Sequence, residues 1–101
     1  MSEVIVQGAF TLDPDDRDRF VEASAESMRS SRQEEGCLEY VMAADPLDPE
    51  RVVLSERWAS MEHLQQHLAQ PRTGGRDTDG RPAPRDVQIA FYEVTAARPL
   101  G

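Results

Sequence analysis

Lysine is absent from this chain of 101 residues, and all 11 of its basic side chains are Arg. With no lysine there is no Schiff-base chemistry and no Walker-type phosphate lysine. Cysteine occurs once, as Cys37, so neither an intrachain disulfide nor a thiolate metal cluster can form. Positive charge is in short supply: 19 acidic residues against 11 basic ones leave a net charge of -8. A balance of that sign offers no basic face to a phosphate backbone or an anionic bilayer, so nucleic acid and membrane surfaces are not expected partners. Apolar runs stay far below the roughly 20 residues of a membrane span. The N-terminus has no basic-then-apolar leader, and a cytoplasmic location is expected.

What remains, 39% hydrophobic and 30% charged residues, is the composition of a soluble globular domain. A single domain over residues 1–101 is expected, and chains of this size bury only roughly 60 to 70% of their unfolded surface. Association with a second copy would enlarge that core.

Val4 to Leu12 is mostly apolar and reads as a strand. Asp13-Pro14 then marks a helix start, with Asp13 as the capping residue and Asp15, Asp16 and Asp18 at the positive end of the dipole. The helix is expected to run to Arg32 or Gln33 and stop at Gly36, with Phe20, Val21, Ser24, Met28 and Ser31 facing inward. Cys37 to Ala44 reads as a second strand, Leu38, Tyr40 and Met42 on one face and Cys37, Glu39 and Val41 on the other. Beyond the turn DPLDPE, Arg51 to Trp58 places Val52, Leu54, Glu56 and Trp58 on one face of a third strand. Ser60 can cap a helix over Met61 to Ala69, which Pro71 ends. Residues 72–86, rich in Gly, Pro and charge, are expected to form a flexible loop, and Val87 to Thr95 reads as a last strand.

The order βαββαβ predicts a ferredoxin-like α+β fold, a four-stranded antiparallel sheet with its helices on one face. All strands carry apolar residues at both parities, so the other sheet face needs a cover. A homodimer packed sheet to sheet, a dimeric α+β barrel, supplies it.

Few side chains here can do chemistry. His67 lies about 80 to 100 degrees from the buried centre of its helix by the 3.6-residue period, a boundary position. It reads either as a rim histidine satisfied by water or as a pocket base. Glu56 among apolar neighbours is costly unless paired, with Arg57, Arg29 and His67 the available sorts of partner; it is either one half of an ion pair or a general acid or base of raised pKa. Trp58 needs an acceptor for its indole N–H. His63 and His67, four apart, could chelate a metal, but no third ligand is pointed to and none is expected. His63 falls further round the helix, toward solvent.

The stretch Glu34 to Pro71, with Gly36, Cys37, Leu38 and Tyr40, then Glu56 and Trp58, then His67, resembles the antibiotic biosynthesis monooxygenase domain family. The resemblance implies a dimeric α+β barrel with a pocket between helices and sheet in each subunit. Members include cofactor-independent oxygenases that convert phenolic aromatics to quinones, quinol oxygenases, haem-degrading enzymes and isomerases. It implies His67, Trp58 and Glu56 as catalytic residues. His67 would be base or phenolate partner, Trp58 a pocket wall able to donate a hydrogen bond to oxygen or substrate, and Glu56 the group that orients His67. Tyr40, Gln7, Ser24 and Met28 would contact substrate. Haem-degrading relatives carry an Asn on the first strand where this chain has Gln7, which disfavours haem, and no cofactor is expected. The resulting expectation is a monooxygenase acting with dioxygen on a hydrophobic phenolic or quinol-type aromatic. Its rivals are a non-catalytic small-molecule-binding module and an oxygen-independent isomerase.

Overall fold

Burial alternates residue by residue along Arg51 to Trp58, with Val52, Leu54, Glu56 and Trp58 turned to the core, and the structure is built around this strand. A computed structural model describes residues 2–70 and 81–101. The elements are β1 (Val4–Thr11), α1 (Pro14–Ala23), α2 (Ala25–Arg32), β2 (Cys37–Ala44), β3 (Arg51–Trp58), α3 (Met61–Ala69) and β4 (Asp86–Glu93). Every strand pairing is antiparallel and the order is β2-β3-β1-β4, the ferredoxin-like α+β arrangement. Most of the expected 72–86 loop lies outside the described residues, and its last residue, Asp86, already belongs to β4.

One sheet face carries the core. Val4, Val6, Tyr40, Leu54 and Trp58 pack against Leu64 of α3 and, at the margin, Met28 of α2. Toward the other end of the strands, Leu12 and Val52 pack against Phe20 of α1. Trp58 and Val52 have no exposed surface at all.

The structure departs from the sequence reading in three places. The long helix is two, because Ser24 leaves it. The Ser24 hydroxyl donates to the Phe20 carbonyl at 2.8 Å, and such back-bonding competes with the helical ladder and bends it. The inward stripe nevertheless holds, with Phe20, Ser24 and Ser31 buried. In β2, Cys37 pairs with Trp58 and Glu39 with Arg57, so Leu38 is a bulge. The extra residue turns Leu38 outward and brings Cys37 to the face of Tyr40 and Met42, the reverse of the expected parity. Asp13 does not cap α1 with its side chain; it pairs with Arg85 at 3.0 Å, and Arg85 also reaches Glu50.

α2 lies along the outer edge of β2 and occupies its outward main-chain groups. Arg32 Nε donates to the Tyr40 carbonyl at 2.8 Å, and the Met42 N–H donates to Met28 Sδ at 3.3 Å. At the opposite edge β4 has no such cover among the described residues, and all eight of its own residues are exposed.

Candidate functional site

Three pieces of backbone converge at the Trp58 end of the sheet. Alternation along β3 delivers Glu56 and Trp58 to the helix side, both buried. The bulge at Leu38 lets β2 present Tyr40 there too. From α3 comes His67, two turns after a cap in which the Ser60 hydroxyl accepts the His63 N–H at 3.2 Å and bonds His63 Nδ1 at 2.8 Å.

The turn before β2 fixes the helix in place. Gly36 has φ +83°, a left-handed conformation that suits glycine, and the His63 ring fills the space that a side chain at residue 36 would take. His63 is therefore half-buried rather than turned to solvent. The Ala59 N–H donates to the Gly36 carbonyl at 2.8 Å, closing the same corner.

Around His67 the contacts are two aromatic rings and a carboxylate. Its ring lies against Trp58 with centroids 4.7 Å apart and planes inclined 34°, and Tyr40 meets it at 5.7 Å and 60°. Nδ1 is 3.0 and 3.1 Å from the two carboxylate oxygens of Glu34. Both side chains of that pair are largely buried, 14% and 16% exposed. Trp58 Nε1 donates to Glu56 Oε1 at 2.9 Å.

Two expected roles change in consequence. The indole N–H of Trp58 is engaged by Glu56, and Glu56 meets its burial cost through Trp58 rather than through Arg29 or Arg57, which pair with Glu26 and Glu3. The carboxylate on His67 belongs to Glu34, a residue missed by the sequence reading. Its signal was an acidic pair placed directly before the Gly36 turn, but nothing local says that it meets a side chain 33 positions away.

The substrate-contact candidates scatter. Tyr40 is in the group, and Met28 packs at its margin. Ser24 is fully buried, and its hydroxyl, besides donating to Phe20, accepts from Arg81 at 3.0 Å, while the Arg81 guanidinium lies over the Phe20 ring. Gln7 is exposed, and Val6 beside it on β1 faces the core, so Gln7 looks out from the other side of the sheet, away from His67. Alongside β2 a cavity of about 350 Å³ is lined by Arg32, Cys37, Leu38, Glu39, Tyr40 and Val41, sharing Tyr40 with the group. Burial, and secondarily the negative charge of Glu34, raises the Cys37 thiol above its ordinary pKa, which makes it a poor nucleophile.

Among the described residues no three His, Cys, Asp or Glu side chains gather as a metal site, and no helix is long and apolar enough to cross a membrane.

Known proteins bear on this arrangement through fold and family. A candidate antibiotic biosynthesis monooxygenase from Deinococcus radiodurans superposes with a TM-score of 0.83 at 25% identity, covering 97% of this chain and 98% of that one. A second candidate, from Chloroflexus aurantiacus, is 26% identical with a TM-score of 0.72, covering 99% and 100%. Rv0793 from Mycobacterium tuberculosis, at 24% identity and a TM-score of 0.73 over 99% and 100% of the two chains, shares the fold. No curated protein matches the chain in sequence. The profile of the antibiotic biosynthesis monooxygenase family matches residues 3–73, a span that holds Glu34, Tyr40, Glu56, Trp58 and His67, and the chain belongs to that family.

Proposed function

We propose that the protein is a homodimeric monooxygenase that oxidises a phenolic or quinol-type aromatic with dioxygen, using no metal or flavin. The observation that carries this reading is the His67 ring stacked on Trp58 beside Tyr40, a titratable base against an aromatic wall. In this reaction the substrate phenol gives its proton to His67, and the electron-rich phenolate reacts with dioxygen directly. Conversion of the aromatic C–H carbon para to the phenol oxygen into a quinone carbonyl gives up four electrons to dioxygen; one oxygen atom becomes the new carbonyl and the other leaves as water. The chain's tasks are to take the proton, hold the ring plane and keep water away from the anion. Tyr40, which borders the cavity beside the group, meets the substrate ring; Trp58, without exposed surface, backs the His67 ring, and Glu56 acts through Trp58 by fixing the indole. Of the other candidates Met28 lies closest to the group, whereas Gln7 looks out from the other side of the sheet and the Ser24 hydroxyl is engaged with Phe20 and Arg81.

The homodimer is proposed on the open sheet face, where Ile5, Ala9, Val41, Val53, Ala90 and Tyr92 have no cover from helices among the described residues. Oxygen uptake by purified protein against anthrone-like phenols and hydroquinones tests the activity. Turnover by the parent protein is expected to fall by about 100-fold or more in His67→Ala. Undiminished turnover in that variant overturns the assignment of the base, and binding without oxygen uptake favours a small-molecule-binding module.

A further inference from the structure

We infer that Glu34 is a positioning residue that holds the neutral His67 ring in the tautomer protonated at Nδ1, leaving the Nε2 lone pair as the proton acceptor. The inference rests on the proposed role of His67 as base.

Both oxygens of the Glu34 carboxylate lie within hydrogen-bond distance of one ring nitrogen, at 3.0 and 3.1 Å. An ionised carboxylate only accepts hydrogen bonds, so the nitrogen that faces it must carry the proton. In a neutral imidazole the other nitrogen is then the acceptor, and among the described residues Nε2 of His67 has no hydrogen-bond partner. Free histidine in water prefers the opposite tautomer, with the proton on Nε2, so the carboxylate has to overrule an intrinsic bias.

Glu34 is placed to do so. Its own N–H donates to the Ser31 carbonyl at 3.1 Å, and its carbonyl accepts from the Cys37 N–H at 3.2 Å, so the turn that carries it is tied to α2 on one side and β2 on the other. The side chain is 16% exposed, and His67 is its partner. Burial on this scale strengthens a charge-assisted bond, because water competes less for the carboxylate. The ring is held on its flat side by Trp58, which leaves rotation about the side chain as the motion that Glu34 restrains. Orientation of a catalytic imidazole through Nδ1 by a second carboxyl group is a general device of acid–base sites.

The test is the long-range nitrogen–proton spectrum of the full-length protein labelled with 15N, recorded without substrate at a pH where the ring is neutral. The chain has two histidines, so loss of one set of signals in His67→Ala assigns the other. The expected result is Nδ1–H at His67 in the parent protein. In Glu34→Ala, or in the same-shaped Glu34→Gln if the alanine variant does not fold, the population moves toward Nε2–H. Turnover of the proposed substrate falls about tenfold to a hundredfold in the same variants, and the melting temperature of Glu34→Gln stays near that of the parent. A parent ring protonated at Nε2, or a tautomer that ignores removal of the carboxylate, overturns the inference. Because the tautomer is read without substrate, an inactive protein that keeps Nδ1–H through Glu34 counts against the oxygenase reading alone. An active protein with Nε2–H counts against Glu34 alone.

Discussion

β2 and β4 are the two outer strands of one sheet, and the molecule treats them in opposite ways. Along β2, side chains of α2 occupy outward main-chain groups, and Tyr40 is buried. Along β4 nothing is buried, and Val87, Ile89, Phe91 and Tyr92 stand exposed at 43 to 55%. An edge that is satisfied from within the chain can hold a site at fixed distances. An edge left open is a template for contact with something else. The difference teaches that, among the described residues, the helices pack on the β2–β3–β1 side of the sheet and leave β4 exposed.

That contrast breaks down if the β2–β3 half proves soft. Trp58→Ala removes a fully buried indole and is expected to cost about 3–5 kcal/mol in denaturant unfolding. A loss under about 1 kcal/mol would mean that the helices do not depend on this wall. On the open face beside β4, Tyr92→Ser is expected to weaken the proposed homodimer about tenfold or more in sedimentation equilibrium, a change of about 1.4 kcal/mol. The same measurement on Ile89→Ser, on the helix side of β4, should leave association within about twofold; equal losses at both positions would assign the interface to the strand rather than to the face.

How far this was legible in the sequence depended on the kind of signal. The element order was readable, as was the inward face of β3, because Val52, Leu54 and Trp58 share one parity with Glu56, and α3 was expected over the residues it occupies. The bulge at Leu38 was not, since apolar residues sit at both parities from Cys37 to Met42 and a slip of one leaves the pattern looking the same. Nor was the break at Ser24, because a serine is tolerated inside a helix and only its hydroxyl bond to Phe20 reveals the bend. Within the candidate site, Tyr40, Trp58 and His67 were named and do come together, whereas Gln7 sits on the far side of the sheet. Glu34 went unseen because partner choice across a tertiary contact has no local period. Glu56 was correctly singled out as anomalous, but its partner was the indole two residues along its own strand.

Smaller effects sharpen the comparison from the β2 side. Arg32→Ala withdraws a hydrogen bond from the Tyr40 carbonyl and is expected to cost about 0.5–1.5 kcal/mol, with the freed edge detectable as faster amide exchange in β2. Cys37 adds a pH signature. Its folded pKa is raised, so its contribution to stability is fully present below the range in which an unfolded thiol ionises and is lost as pH rises through the folded value. Unfolding curves on the alkaline side should therefore fall more steeply for the parent than for Cys37→Ser, and parallel curves would show that β2 does not shield the thiol.

The Gly36 turn acts as a gauge block for the pair beyond it. His63 rests where a side chain at residue 36 would be, and one helical turn further His67 meets Glu34, two residues back along the same turn. Helix and turn thus touch twice, once through bare shape and once through a hydrogen bond, and the first contact sets the clearance for the second. A methyl group at position 36 would act as a shim, levering α3 away and lengthening the bond between ring and carboxylate without altering either residue. Selection on the chemistry of His67 would then be felt at a glycine that has no chemistry of its own.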